Sequence, residues 1–307
     1  MKTCKPLIYT VAWLALVGPM AALAATPINQ TRAINPDGEV RVENVSGLIK
    51  VRVWNEAKVQ ITGSLGEGVE KLVVEGDAHS LLISVKYPQR KGWFGLGGVN
   101  INVKEPTRLE LMVPLKVALA LQAVSADIDV QGTAAPRVSI NNVSGDSTVL
   151  ASSPGKLTVE SVSGNVLLKL TSPQVTVHSV SGDVRMLGHL NGRLEVETVS
   201  GNVELDTPAL NQLQFNSVSG DGRFQLGLAK DGRIEMDAVS GSLSLQMPKT
   251  SSAQFNVQSF SGDISSAIGK VVKEQYAPGR SLDARLGEGN GRVNMNTMSG
   301  DVTIMVK

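Results

Sequence analysis

The chain is poor in cysteine, aromatic residues and net charge. Cys4 is the single cysteine among 307 residues, and aromatic residues make up 4%. A lone cysteine cannot supply a disulfide framework, so packing must hold the fold together. The formal charge of +1 is too small to indicate binding to nucleic acid or to an acidic membrane surface. The three histidines lack the spacing of metal ligands, and no cofactor or metal is predicted.

Long apolar runs are also missing, except near the N-terminus. Residues 7–23 are largely apolar and follow Lys2 and Lys5. Ala22-Leu23-Ala24 matches an A-x-A cleavage site, which predicts a signal peptide over residues 1–24 and a mature chain that begins at Ala25. Cys4 precedes the apolar run instead of following the cut, which argues against a lipoprotein. No later run reaches the roughly 20 residues of a membrane helix. We therefore expect an exported protein, periplasmic or at the cell surface, with no transmembrane segment in the mature chain.

The chain does contain a repeated phrase, x-Val-Ser-Gly-Asp/Asn. From the second copy onward the serines are separated by 19, 19, 18, 19, 19, 21, 21 and 38 residues. A fixed period near 19 indicates a stacked repeat fold. The ten serines are Ser46, Ser125, Ser144, Ser163, Ser181, Ser200, Ser219, Ser240, Ser261 and Ser299.

Counting each repeat from its serine, taken as position 0, shows an alternating pattern. Positions −6, −4, −1, +3 and +5 are apolar except at Ser147, Gly222 and Ser266, whereas −5 and −3 are polar except at Ala120. Period-two alternation is typical of a strand with one solvated face. Because −1 breaks the alternation, we expect the strand to bend between −4 and −1 and the residue at −1 to face the core. Replacing Val199 with Asp should then unfold the neighbouring rungs.

These patterns predict an all-β fold, a parallel β-solenoid of ~19-residue rungs with an irregular N-terminal β cap. We expect the cap at residues 25–122 and the solenoid at 123–307, where the Ser125–Ser299 stack would be roughly 45 Å long. Val159, Val177 and Val196 should lie directly above one another. A sandwich of antiparallel hairpins is the alternative, because Ser-Gly-Asp also suits a hairpin turn.

The repeated phrase also resembles that of a known family. Its degenerate opening, Val124-Ser125-Ala126-Asp127, and its final copy, Met298-Ser299-Gly300-Asp301-Val302, are similar to repeats of the bacterial "putative adhesin" β-strand-repeat family of exported proteins. The resemblance covers about Glu39 to Val306. It implies an exported, β-solenoid-like domain of unknown function and brings no catalytic residues.

Position +2 holds a column of Asp and Asn residues. One interpretation is a structural ladder in which these side chains cap the corners of the rungs. The other is a row of calcium sites, but calcium needs six to eight oxygen ligands and this column supplies few. We favour the structural ladder. Its members are Asp127, Asp146, Asn165, Asp183, Asn202, Asp221, Asp263 and Asp301.

Two further features are candidate contact surfaces. Trp93 and Phe94 lie in a glycine-rich segment, 91–98, which forms either an exposed contact loop or a plug over the end of the stack. Position −3 forms an outward polar row that could bind a glycan or another protein. The members of this row are Gln122, Asn141, Glu160, His178, Glu197, Asn216, Asp237 and Gln258.

The sequence predicts a non-enzymatic structural or binding module of the cell envelope, with a protein or glycan as its partner and no nucleic acid. A carbohydrate-active hydrolase or lyase is one alternative, because some β-helices carry such chemistry on paired carboxylates. The short turns between rungs argue against it, since a catalytic cleft needs long loops as walls. A partner in envelope-stress signalling is the other alternative.

Overall fold

A computed structural model describes residues 26–88, 105–273 and 279–307. The described residues form 23 β-strands, and no helix among them is long and apolar enough to cross a membrane. The predicted signal peptide lies outside the described residues, as do Trp93 and Phe94 of the predicted contact loop.

The N-terminal part already belongs to the stack. Its strands are β1 (Thr26–Ala33), β2 (Glu39–Trp54), β3 (Lys58–Leu65), β4 (Lys71–Gly76), β5 (Ser80–Lys86), β6 (Thr107–Pro114) and β7 (Ala118–Gln131). β2 pairs in parallel with β7, with Ser46 opposite Ser125, and with β5 and β6 on its other side. β4, β3 and β1 add antiparallel strands at this end. The expected boundary between residues 122 and 123 falls inside β7, so the cap and the solenoid share strands.

The central rungs contribute one strand before the Ser-Gly corner and one after it. They are β8 (Arg137–Ser144), β9 (Ser147–Ser152), β10 (Lys156–Ser163), β11 (Val166–Thr171), β12 (Gln174–Ser181), β13 (Val184–His189), β14 (Arg193–Ser200), β15 (Val203–Ser219), β16 (Gly222–Ser240) and β17 (Leu243–Met247). Each pairs in parallel with its equivalent in the next rung. β15 and β16 each continue through a turn, so each contributes one segment to one rung and a second segment to the next. The predicted parallel β-solenoid is confirmed.

Equivalent apolar residues are stacked in register along the interior. Val159 lies opposite Val177, and Val177 lies opposite Val196. All three side chains are fully buried, and the column continues through Phe215 and Met236. Because one rung alone cannot bury its apolar side chains, stacking of this column between rungs stabilises the fold.

Two polar or small residues at +3 have local explanations. Gly222 leaves room for an aromatic ring, because a Cβ there would lie 2.5 Å from the ring of Phe224. That ring packs edge to face on Phe215, with centroids 4.9 Å apart. Ser147 is buried, and its Oγ lies 3.4 Å from Nδ2 of Asn142. Gly222 therefore leaves space that an aromatic ring occupies, and Ser147 places a polar atom beside the Asn142 side chain.

The corner glycines are required by backbone contact between rungs. Gly201 has a φ of 138°, a conformation that residues with a Cβ rarely adopt. A Cβ on Gly201 would also lie 2.2 Å from the carbonyl oxygen of Gly182 in the preceding rung. The corners can therefore stack at rung spacing because they carry no side chain.

The C-terminal rungs are stacked out of chain order. The strands are β18 (Ala253–Ser259), β19 (Ile264–Ser266), β20 (Val272–Lys273), β21 (Arg280–Leu286), β22 (Gly291–Ser299) and β23 (Val302–Val306). β22 pairs in parallel with both β16 and β18, and β23 with both β17 and β19. The rung of Ser299 thus lies between those of Ser240 and Ser261. The chain returns through β21, which is antiparallel to β18, and Ser299 does not end the stack as its sequence position suggests.

Candidate binding groove

The residues at position −1 lie on the surface and not in the core. Seven valines at this position are 46–49% exposed. The expectation that −1 faces the interior is therefore wrong, and with it goes the reason for expecting Val199→Asp to unfold neighbouring rungs. The strand keeps its alternation up to −1, so that −6, −4 and −2 face inward, and the chain turns at the serine and glycine instead. The seven are Val124, Val143, Val162, Val180, Val199, Val218 and Val239.

These valines form one continuous apolar row along the stack. Met298 and Phe260, at 61% and 57% exposure, extend it at the C-terminal end. We call the nine side chains the valine stripe. With rungs about 4.8 Å apart, the stripe is about 40 Å long. A contiguous apolar surface of this extent is unusual for a surface that meets only water.

The stripe lies in an open groove of about 2330 Å³. The polar row at −3 forms part of its lining, with the exception of Gln258, as does a row of small residues at −2 that we call the floor row. Ser84, Lys86 and Tyr87 line one end, and Phe260 and Met298 line the other. We call the whole surface the stripe groove. The floor row consists of Asn44, Ala123, Asn142, Ser161, Ser179, Thr198, Ser217, Ala238 and Thr297.

The floor row was missed by reasoning from the sequence. Its side chains are at most 8% exposed. Several bind the corner that follows: Asn142 Nδ2 donates to the carbonyl of Gly145 at 2.9 Å, and Ser161 Oγ donates to that of Gly164 at 3.3 Å. The signal was available, because position −2 holds only Asn, Ala, Ser or Thr in all ten repeats. Uniformly small residues at one position indicate an inward site with little space.

Buried polar atoms without a protein partner lie beneath the lining of this groove. Among the described residues, eight buried side-chain N or O atoms lack a hydrogen-bond partner, and all eight belong to groove-lining residues. These atoms are inaccessible from the groove, so they lie beneath its surface and are not offered to a ligand. The residues are Asn44, Tyr87, Asn141, Asn142, Ser179, Thr198, Ser217 and Thr297.

The groove is acidic, although the chain as a whole is nearly neutral. Four carboxylates line it against one ammonium group, that of Lys86, which gives a formal charge of −3 with His178 neutral. Lys86 lies 3.6 Å from the carboxylate of Glu43. His178 Nδ1 lies 3.0 Å from Glu197 Oε2. Glu160 and Asp237 have no cationic partner among the described residues, so the uncompensated negative charge belongs to the polar row.

The Asp/Asn column at +2 lies outside this groove. Seven of its eight side chains accept a hydrogen bond from the backbone N–H at the same position of an adjacent rung, and the eighth, that of Asp263, forms an ion pair with Arg280. Asp127 Oδ1 accepts from Asp146 N at 2.9 Å, and Asp146 Oδ1 accepts from Asn165 N at 2.9 Å. The same bond recurs from Asp183 to Asn165, from Asn202 to Asp183, from Asp221 to Asn202 and from Asp263 to Asp301. We propose that these bonds, which join successive corners, are the role of the column.

Acidic side chains also occur away from the groove. The described part of the chain contains no group of three or more His, Cys, Asp or Glu side chains placed to hold a metal ion. Backbone N–H groups of His79 and Ser80 hold the pKa of the Asp77 carboxyl below its ordinary value. Asp77 lies in the turn between β4 and β5 and does not line the groove. Its low pKa follows from capping that turn.

Fold and groove together define a class of protein, the repeat β-solenoid with a long lateral groove. The family model described as Toastrack DUF4097 matches residues 49–305, and the chain belongs to that family. The predicted resemblance to an adhesin-like repeat family of unknown function is thereby confirmed. No curated protein matches the chain.

Several solved structures are similar to this chain along most of its length. One is a "Putative lipid binding protein" from Parabacteroides distasonis ATCC 8503, with 10% identity, coverage of 91% of this chain and 96% of that chain, and a TM-score of 0.50. Another is a "putative adhesin" from Parabacteroides merdae ATCC 43184, with 10% identity, the same coverage of 91% and 96%, and a TM-score of 0.46. A "putative adhesin" from Bacteroides fragilis NCTC 9343 has 13% identity, coverage of 92% and 97%, and a TM-score of 0.38. At such identities the likeness concerns the fold alone.

Proposed function

We propose that this protein is an exported, non-enzymatic binding module of the bacterial cell envelope and that the stripe groove is its binding surface. The observation that carries the proposal is the valine stripe, nine apolar side chains left 46–61% exposed in a single row. The predicted signal peptide supports export, and the names of the solved neighbours are consistent with a binding role. Trp93 and Phe94 stay a proposed second contact.

The groove supplies what an elongated ligand needs. Apolar contact comes from the stripe, and polar contact comes from the row at −3, which lies two residues away on the same strands. A polar row along one wall was the contact surface expected from the sequence. Because both rows repeat at every rung, affinity would accumulate along the length of a ligand and would not depend on one pocket.

A lipid acyl chain is a second candidate, because most of the stripe is aliphatic. One solved neighbour carries the name "Putative lipid binding protein". The carboxylates beside the stripe count against this candidate, since an acyl chain would desolvate them without compensation.

The test screens one protein against three ligand classes. Purified protein is applied to a glycan array, to basic and acidic peptides, and to phosphatidylcholine vesicles, each with and without EDTA. The blocking variant Val180→Arg/Val218→Arg places long cations in the stripe. The matched control is Thr176→Arg/Gln214→Arg, which alters position −5 of the same two strands, outside the groove.

We expect at least one ligand class to bind, to be lost in the blocking variant and to be retained by the control. Binding that survives the block would overturn the assignment of the groove. Release of sugar from any glycan on the array would overturn the non-enzymatic assignment. Export is tested by removing residues 2–24, which should leave the protein in the cytoplasmic fraction.

A further inference from the structure

The carboxylates of the polar row are evenly spaced along the groove. In register along the stack, Glu160 is followed by His178, then Glu197, then Asn216, then Asp237. A carboxylate therefore recurs at every second rung, which corresponds to about 9.6 Å. The spacing is long enough that neighbouring carboxylates repel one another only weakly in water. It is also a regular pattern that a repetitive ligand could match.

The sign of the charge excludes several occupants. A second copy of this chain would place one acidic row against another, which is unfavourable. An anionic headgroup would meet uncompensated carboxylates, because Lys86 at one end is the only Lys or Arg among the described residues that line the groove. A cationic occupant is the one that complements this wall.

The backbone of the groove excludes a further mode of binding. A strand in this region has both its edges occupied, as β12 does by β10 and β14. A peptide cannot therefore bind by adding a strand, and its backbone would gain no ladder hydrogen bonds. A polyproline II segment avoids this problem, since its backbone makes no internal hydrogen bonds and proline lacks an N–H group.

Polyproline II geometry also matches the spacing of the carboxylates. It rises about 3.1 Å per residue with three residues per turn, so every third side chain returns to the same side after about 9.3 Å. In a β-strand, residues three apart point to opposite faces. A basic residue at every third position would therefore meet Glu160, Glu197 and Asp237 in turn, while the intervening apolar residues contact the valine stripe.

Resting on the proposed binding role of the stripe groove, we propose that its occupant is a basic, proline-containing polypeptide segment in the polyproline II conformation. Its basic residues recur every third position and face the polar row, and its apolar residues face the stripe.

The test measures binding of a fluorescently labelled peptide, (Lys-Pro-Val)4, to the full-length purified protein by fluorescence anisotropy. We expect saturable binding that weakens as sodium chloride is raised from 0.05 to 0.5 M, since screening shortens the reach of the carboxylates. The acidic peptide (Glu-Pro-Val)4 should bind at least about tenfold more weakly. No saturable binding of the basic peptide up to 1 mM would overturn the proposal.

Paired variants locate the contact. Glu197→Gln/Asp237→Asn should weaken binding of the basic peptide about three- to tenfold, as expected for the loss of two exposed ion pairs. Glu195→Gln/Glu235→Gln removes equal charge from position −5 of the same strands, outside the groove, and should change binding less than about twofold. Equal losses in both variants would overturn the proposal. Circular dichroism shows whether each variant is folded.

The outcomes separate this inference from the proposed function. If the basic peptide does not bind, but vesicles or a glycan bind and are lost in Val180→Arg/Val218→Arg, the inference is wrong and the groove is still the binding surface. If no ligand depends on the stripe, both are wrong.

Discussion

The stability of the strand does not explain why position −1 holds valine. Threonine has nearly the same shape and a similar preference for strands, yet it would present a hydroxyl to water. Val180 and Val199 are nevertheless close to half exposed, as are their equivalents in neighbouring rungs. Single exposed apolar residues need no explanation, but a row of nine does. The choice of residue therefore favours contact with an apolar group of a ligand.

Two valines of β14, three residues apart, face opposite sides: one faces the core and the other the groove. Val196 is fully buried, whereas Val199 is 47% exposed. We expect Val196→Asp to prevent stable folding, because it buries an unpaired charge. Val199→Asp should shift the thermal midpoint by less than about 2 °C, as expected for a surface change within about 0.5 kcal/mol. Thermal unfolding followed by circular dichroism compares them, and a comparable loss in both would place −1 in the core.

The ladder at +2 should contribute to stability without metal. Asp183 Oδ1 accepts bonds from Asn202 N at 2.9 Å and from Asn202 Nδ2 at 3.2 Å. Asp183→Ala should lower the free energy of unfolding by about 1 kcal/mol. Asp206→Ala, at an exposed carboxylate of β15, is the control and should have little effect. Urea unfolding measures both, and a midpoint that rises with calcium and falls with EDTA would contradict the structural role.

At the scale of elements, the rung could be predicted but the position of the last rung could not. The alternation at −6 and −4 predicted which side chains face inward, and the period of 19 predicted the register of the parallel strands. The 38-residue step before Ser299 equals two periods, so the spacing is the same whether the chain continues or turns back. The antiparallel pairing of β21 with β18 shows that the chain turns back, and this contact joins segments that are distant in sequence. The orientation of position −1 was predicted wrongly for a similar reason. A valine there is compatible both with a bend that turns it into the core and with a straight strand that leaves it in a surface groove.

The inserted rung leads to a prediction about hydrogen exchange. β23 is the last strand of the chain, and chain ends usually fray. Here it is hydrogen-bonded on both sides, to β17 and β19, whereas β19 has β23 as its single partner strand within residues 26–88, 105–273 and 279–307. We therefore expect the amides of Val302–Val306 to exchange more slowly than those of Ile264–Ser266. Hydrogen exchange measured by mass spectrometry compares the two strands. Faster exchange in β23 would mean that the rung of Ser299 is not inserted between those of Ser240 and Ser261.

At the scale of the whole molecule, stacking converts one residue per rung into a long surface. No single repeat contains a binding site, because a rung offers one valine, one small residue and one polar residue. In a solenoid each rung contacts only its neighbours, so the same three positions extend along the axis. β4, β3 and β1 add antiparallel strands at one end, and β21 and β20 do so at the other. These strands extend the ladder beyond the parallel rungs, and the valine stripe runs along the side of the stack between them.

A binding surface of this kind should respond to the length of its ligand. At about 3.1 Å per residue, a polyproline II peptide covers a stripe of about 40 Å with roughly 13 residues. In the series (Lys-Pro-Val)n, we expect each triplet up to n = 3 to tighten binding by at least about threefold, because it adds one exposed ion pair and one apolar contact, and the fourth triplet to add less, because it adds an apolar contact alone. Beyond n = 4 the gain should fall below about twofold, since further triplets lie outside the groove. Isothermal titration calorimetry measures the series: a plateau at n = 2 would indicate a local pocket, and an undiminished rise beyond n = 5 would indicate attraction to charge without a groove.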